Sequence, residues 1–371
     1  ANHNGAIKKI IFQLINKDQK VIGETSIVPK SEQWTNYTSQ FTAVETEAKT
    51  KLKITFEGNG TIDLDMVSLF PEDTWKNRKN GLRKDLVQLL YDMKPGFLRF
   101  PGGCIVEGRT LEQRYQWKKT VGDVEQRETL INRWNTEFAH KPAPDYFQTF
   151  GLGFFEYFQL SEDLGAQPLP ILSCGMACQF NTGELVPMEE LDPYVQDALD
   201  LIEFANGGLD TPWGKVRSDM GHPKPFNMKY LEIGNENGQE PYAERWALFS
   251  QAIKEKYPDI ILIANEWAGS HPTNPMPAVI DEHYYNNPDW FIWNANKYDS
   301  YDRKGSKIFV GEYAVTSNTG NGNLRGAIGE AAWMAGLERN SDVVIMAAYA
   351  PLYSNVQLKA WPVNLINFNS S

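Results

Sequence analysis

The chain has 371 residues, 42% of them hydrophobic, enough to bury a large apolar core and too many for a disordered segment or one small module. Lysine and arginine total 36 against 47 aspartates and glutamates, a formal charge of −11, the wrong sign for neutralising nucleic-acid phosphates or anionic lipid. No stretch approaches the ~20 apolar residues that span a bilayer, and Ala1-Asn2-His3-Asn4 lacks the charged-then-apolar order of a leader, so no nucleic acid and no membrane span is expected.

Residues 1–70 read as antiparallel β structure. Short, partly alternating segments at 7–15, 20–28, 51–57 and 61–70 are punctuated by Asn, Asp, Gly and Pro. They fall short of the ~7 strands of a complete sandwich, so a partial β-sandwich is expected. From residue 71 the pattern becomes apolar runs alternating with helical stretches. Residues 81–93 set Leu82, Leu86, Leu89, Leu90 and Met93 on one helical face, Lys94-Pro95-Gly96 ends that helix, and 97–100 follows as a strand. Helices at 145–164, 192–205 and 241–257 likewise precede strands at 168–173, 229–236 and 260–265. Further strands follow at 279–285, 307–313 and 343–349, with a helix over 324–338.

Repeated helix–strand alternation implies parallel strands, because each crossover needs a dozen or more residues. The fold class read from this is α/β, a (β/α)8 TIM-type barrel over 71–371. It is favoured over a doubly wound sheet because no Gly-rich phosphate fingerprint follows an early strand and polar residues collect at strand C-termini. Seven strands are one short of eight, so the first is expected to be missing from this chain.

Three cysteines, Cys104, Cys174 and Cys178, are an odd number and make no disulfide framework. Cys174-Gly-Met-Ala-Cys178 has no second cysteine pair and no nearby histidine, so these are expected to be buried thiols, with no metal and no cofactor. The aromatic content of 12% suits sugar ligands, although most of these rings must fill the core.

At the predicted strand ends stand Arg99 with Pro101-Gly102-Gly103-Cys104, then Asn235-Glu236-Asn237, Asn265-Glu266-Trp267, Glu282-His283-Tyr284-Tyr285 and Gly311-Glu312-Tyr313. Several carboxylates, one arginine and aromatic rings at a barrel mouth fit glycoside hydrolysis, which needs two carboxyl groups flanking the scissile bond. A lone strand-end glutamate is more often a cap or half an ion pair. Glu236 and Glu312 are the strongest pair, since each ends an apolar run shortly after a glycine. Glu266 repeats the Asn-Glu pair one strand later, and local pattern does not separate it from Glu236. His283 belongs to no His-Glu-x-x-His helix and the chain has no Gly-x-Ser-x-Gly elbow, so His283 is read as a supporting residue. Trp267 reads equally as core packing or as a platform for a sugar ring.

Taken in order, several segments resemble the α-L-arabinofuranosidases of glycoside hydrolase family 51, in the clan of retaining barrel glycosidases. They are Phe97-Leu-Arg-Phe-Pro-Gly-Gly-Cys-Ile-Val-Glu-Gly108, Tyr115-Gln-Trp-Lys-Lys-Thr-Val-Gly122, Leu231-Glu-Ile-Gly-Asn-Glu-Asn237, Asp281-Glu-His-Tyr-Tyr285, Val310-Gly-Glu-Tyr-Ala314 and Ala348-Tyr-Ala-Pro351. The resemblance implies that Glu236 is the general acid/base and Glu312 the nucleophile, setting Glu266 aside. It further implies that Asn235 holds the sugar 2-hydroxyl, that Arg99 bears on the nucleophile's charge and that Tyr285 hydrogen-bonds Glu312. Cys104 stands where better-known members place a sugar-contacting Asn, and is expected only to line the site. For a retaining reaction Glu236 must be protonated in the free enzyme, through burial and the charge of Glu312, and the two carboxyl groups must lie about 5–5.5 Å apart.

The resemblance also implies an earlier barrel strand with a substrate-binding Glu and a C-terminal β-sandwich, neither of which is read here. Some members insert a carbohydrate-binding-like sandwich after that first strand. Residues 1–70 are then expected to be the tail of such an insertion, and the chain a fragment. The expected substrate is an arabinose-containing plant polysaccharide or oligosaccharide, arabinan or arabinoxylan. The alternatives are an endo-acting glucanase or xylanase of the same clan and a catalytically silent carbohydrate-binding fragment. A secreted or periplasmic location suits such a substrate, and homo-oligomerisation is left open.

Overall fold

The computed structural model of the protein describes residues 2–136, 145–357 and 361–369, in one unit up to Leu82 and a second over Arg83–Phe368.

In the first unit, strands β1 (Asn2–Ile15), β2 (Val21–Ile27) and β3 (Lys51–Asp63) form an antiparallel sheet in the order β2-β1-β3, with Ile7, Ile10 and Ile22 buried. The described residues of this unit show this one sheet. Strand β3 runs through the segment predicted at 51–57 and on into the start of the one predicted at 61–70, because Gly58 and Gly60 act as close-approach positions instead of a turn. Both have positive φ, and a Cβ on Gly58 would lie 2.1 Å from the Ala6 carbonyl oxygen across the ladder.

The second unit is a nearly closed parallel barrel of the TIM type. Chain order within it is helix α1 (Lys84–Met93), strand β4 (Phe97–Phe100), helix α2 (Cys104–Glu107) and a two-residue ladder of β5 (Leu130–Ile131) with β6 (Phe147–Gln148). Next come α3 (Phe154–Leu164), β7 (Gln167–Leu172), α4 (Asp192–Asn206), α5 (Pro212–Asp219), β8 (Tyr230–Ile233), α6 (Gln239–Lys256) and β9 (Ile261–Asn265). The remainder holds β10 (Val279–Asn286), α7 (Pro288–Trp293), β11 (Lys307–Val315), α8 (Leu324–Arg339), β12 (Val344–Tyr349) and a parallel pair, β13 (Tyr353–Asn355) with β14 (Ile366–Phe368). Seven strands pair in the order β12-β11-β10-β9-β8-β7-β4, the seven expected from the alternation. No helix among the described residues is long and apolar enough to cross a membrane.

Packing explains the layers. Along α6, Tyr242, Trp246, Phe249 and Ile253 recur at helical spacing and are all buried, each contributing about 1.5–3 kcal/mol relative to an exposed side chain. Helix α3 starts only at Phe154, where the Glu156 carboxylate takes the Gly153 N–H at 2.9 Å, so residues 145–153 are not helical as the aromatic pattern predicts. The barrel floor is apolar. Leu169, Ile263, Val279 and Phe309 pack together with Phe97, Tyr230 and Met346, one or more from every strand. The rings of Phe97 on β4 and Phe309 on β11 meet edge to face at 5.4 Å, so the sheet curls far enough to bring strands near its two ends together across the interior.

Candidate active site

Two residues further along four of these inward-facing rows, the floor gives way to charged and polar side chains. Arg99 follows Phe97 on β4, Glu232 follows Tyr230 on β8, Asn265 follows Ile263 on β9 and Asp281 follows Val279 on β10, as the period of two requires. Strand β11 breaks this parity with a bulge. Asp281 is paired with Phe309 but His283 with Glu312, so one extra residue is inserted around Gly311 and Glu312 is turned inward. Gly311 is required there: its N–H donates to Asp281 Oδ1 at 2.7 Å, and a Cβ would lie 2.2 Å from that oxygen.

Arg99 is the hub. Its Nε and Nη2 fork onto Glu232 at 3.0 Å each, Nη1 donates to Glu312 Oε1 at 2.9 Å, and Nη2 also reaches Asn235 Oδ1 at 3.0 Å. Burial opposes the guanidinium's charge, but Glu232, Asp281 and Glu312 outweigh it and hold Arg99 firmly protonated. On the other side, burial pushes Glu232 up to about 8 against the pull of Arg99.

Above this layer the two candidate catalytic glutamates face each other, and a carboxylate oxygen of Glu236, a ring nitrogen of His283 and a carboxylate oxygen of Glu312 all lie within 4.8 Å of one another. Glu312 Oε2 accepts from the Tyr285 hydroxyl at 2.6 Å. Burial would raise the Glu312 pKa, but His283, Arg99 and the Tyr285 hydrogen bond reverse that and lower it below the usual carboxylate value. Glu236 sits in the left-handed region, φ 49°, just past the end of β8, a conformation that costs a non-glycine residue about 1–2 kcal/mol and aims its side chain across the mouth. His283 bridges Glu236 Oε1, 2.9 Å from Nδ1, and Asp281 Oδ2, 2.8 Å from Nε2. Burial lowers the His283 pKa, yet Asp281 and Glu312 raise it overall to well above the ordinary imidazole value.

Asn235 donates from Nδ2 to Glu107 at 3.2 Å and Asn237 does so at 3.1 Å, so one buried carboxyl braces both asparagines. Burial and the neighbouring Cys178 sulfur push Glu107 well above the usual carboxyl range. Cys104 Sγ lies 3.8 Å from Glu236 Oε2. Thus Arg99, Cys104, Asn235, Glu236, His283, Tyr285 and Glu312 converge on one network. Trp267 is not a member of it: this half-buried residue sits in the turn after β9 with its ring edge to face with Phe180 at 5.7 Å. Glu266 is a turn residue, its Oε1 taking the Gly269 N–H at 2.5 Å.

Sequence reading missed Glu107, Glu232, Asn237, Asn265 and Asp281. For Glu232 the available signal was a carboxylate between apolar residues of a short strand, which is costly to bury unless a cation is built in to meet it. Among the described residues two clusters carry metal-ligand atoms, Glu236/His283/Glu312 and Cys104/Glu107/Cys178. In the first, Arg99 and the charged His283 already supply the positive charge those carboxylates call for.

Comparison with known proteins agrees with this geometry. Residues 89–303 match the α-L-arabinofuranosidase 1 domain model, and residues 293–369, which include β11 and β12, match the α-L-arabinofuranosidase C-terminal domain model. An extracellular exo-α-L-arabinofuranosidase of Streptomyces chartreusis is 43% identical over 91% of this chain and 42% of its own length. α-L-Arabinofuranosidase 1 of Arabidopsis thaliana is 40% identical over 95% of this chain and 50% of its own length, so the chain spans about half the length of these curated relatives. Among solved structures, an arabinose-bound family 51 α-L-arabinofuranosidase superposes with a TM-score of 0.85 at 34% identity, over 99% of this chain and 60% of that one. The chain therefore belongs to the α-L-arabinofuranosidases of glycoside hydrolase family 51.

Proposed function

We propose that the chain carries the catalytic site of a retaining, exo-acting α-L-arabinofuranosidase that releases terminal arabinofuranosyl residues from arabinan- or arabinoxylan-type glycans. The observation that carries this reading is the approach of Glu236 and Glu312 carboxylate oxygens to within 4.8 Å. Retaining glycosidases hold their carboxyl groups about 5–5.5 Å apart, whereas inverting ones leave about 6.5–9.5 Å for a water.

Each residue then has a task set by its contacts. Glu312 is kept ionised by Arg99 and Tyr285 and attacks the anomeric carbon, forming a glycosyl ester as the glycosidic bond breaks. Glu236 gives its proton to the departing oxygen. It then takes a proton from water, whose oxygen displaces Glu312 and restores the starting anomeric configuration. Asn235 has one amide proton and one oxygen lone pair beyond its bonds to Glu107 and Arg99, and these are available to the sugar 2-hydroxyl. The Arg99 fork on Glu232 fixes the guanidinium, so the charge facing Glu312 needs no reorganisation during the reaction. The name of the Streptomyces relative supports both exo action and a location outside the cell.

A panel of nitrophenyl glycosides tests the reading. Turnover of the α-L-arabinofuranoside above the xyloside and glucoside is expected. Hydrolysis confined to xylan or glucan polymers, or no turnover of any glycoside, would contradict it.

A further inference from the structure

Next to Glu236 lies a thiol cluster that hydrolysis does not use. Cys104, the first residue of α2, and Cys178, in the segment after β7, stand side by side. Their sulfurs and a Glu107 carboxylate oxygen all lie within 4.8 Å of one another. Arg133 Nη2 points at Cys178 Sγ from 3.5 Å, and both of these residues are buried. The neighbouring Cys104 thiol, together with Arg133, lowers the Cys178 pKa to about 6. The Cys178 sulfur, burial and the nearby Glu236 and Glu107 raise that of Cys104. The two sulfurs are thus pushed in opposite directions, Cys178 toward the thiolate and Cys104 toward the thiol.

Two uses fit such a pair, and the surroundings choose between them. A cation on the two sulfurs would stand against the Arg133 guanidinium, and the Glu107 oxygens are already taken by the Asn235 and Asn237 amides. An exchange reaction meets neither obstacle. Its entry point is Cys104, the partly exposed member beside Glu236, while Cys178 is fully buried behind it.

We propose that Cys104 and Cys178 form a redox-active dithiol that is oxidised by low-molecular-weight disulfides such as oxidised glutathione, reaching Cys104 from the side of Glu236. As the Cys104 sulfur attacks one sulfur of the reagent its proton passes to the Cys178 sulfur, and the reagent's S–S bond breaks to release a first thiolate. The proton now on Cys178 passes to that thiolate, and Cys178 attacks Cys104 Sγ, expelling the second. Two cysteine sulfurs are oxidised to a disulfide, and the reagent is reduced to one thiol and one thiolate. The new bond holds Cys104 against Cys178 and lowers turnover by altering the wall beside Glu236, reversibly with a reducing dithiol.

Intact-mass measurement and peptide mapping of the full chain after incubation with oxidised glutathione and an acid quench test this without reference to glycosidase activity. The wild type is expected to lose two hydrogens, to release two equivalents of glutathione and to yield a Cys104–Cys178 linked peptide. Cys178→Ser is expected to stop, more slowly, at one glutathione on Cys104. A wild-type chain that stays reduced, keeps a stable glutathione adduct or links Cys174 instead would overturn the proposal, whatever the variant does.

Discussion

His283 stands between Glu236 and Asp281, with Nδ1 2.9 Å from Glu236 Oε1 and Nε2 2.8 Å from Asp281 Oδ2. Because the surrounding carboxylates keep the ring charged despite its burial, both nitrogens donate. Glu236 Oε1 is thereby engaged as an acceptor. Its other oxygen, 3.8 Å from Cys104 Sγ, is the one that the proposed role as acid would protonate.

Replacing Glu236 by Ala removes that proton. The rate on substrates with poor leaving groups should fall about 10²–10⁴-fold, and much less on nitrophenyl arabinofuranoside, where the leaving group departs without help. Azide should restore turnover of the activated substrate, with an arabinosyl azide of retained configuration as the product. Equal losses on both substrates would contradict the role of Glu236 as the acid.

Tyr285→Phe deletes one of the groups that lower the Glu312 pKa. The nucleophile then protonates at a higher pH. The acid limb of the kcat/KM profile should move upward by roughly one pH unit, the scale of one hydrogen bond to a charged group. An acid limb that stays in place would separate Tyr285 from the nucleophile's ionisation.

Glu266→Ala removes a turn hydrogen bond and leaves the carboxylate network intact. A stability cost of about 1 kcal/mol with catalytic constants within a few-fold of wild type is expected, as read by denaturant titration and kinetics. Inactivation comparable to that of the Glu236 variant would reopen the choice between the two Asn-Glu pairs.

Much of the fold follows from periodicity and spacing, and the exceptions have physical causes. The seven parallel strands and their helices are visible as apolar runs separated by amphipathic stretches. What periodicity misreads is set by contacts remote in sequence. Asn59-Gly60 reads as a turn, yet Gly60 continues a strand because Gly5 lies opposite it on β1. The resemblance favours Glu236 over Glu266, and their contacts differ, a bridge to His283 for Glu236 and a turn hydrogen bond from Gly269 for Glu266. Glu232 is marked in the sequence only as a carboxylate within a short apolar strand, and its role, like that of Asp281, shows once Arg99 on β4 is in place beside it. The bulge at Gly311 is equally unreadable, since it answers to the Asp281 carboxylate on the neighbouring strand.

That buried layer links stability to pH. Burial raises the Glu232 pKa to about 8 in the folded chain, above its unfolded value. Its contribution is therefore present in full below the ordinary carboxylate range and is gone once pH has risen through about 8. The thermal midpoint should fall between about pH 5 and about pH 9, and Glu232→Gln, which has no proton to lose, should flatten that slope. An unchanged slope in the variant would assign the loss to other groups.

The central claim is that Glu312 forms a covalent bond to the sugar while Glu236 handles the proton. Trapping with a fluorinated, slowly hydrolysed arabinofuranoside followed by proteolysis and mass spectrometry reads this directly. The account predicts one arabinosyl adduct, on the peptide holding Glu312. A label on Glu236 or Glu266, or turnover that inverts the anomeric centre without any adduct, would contradict it.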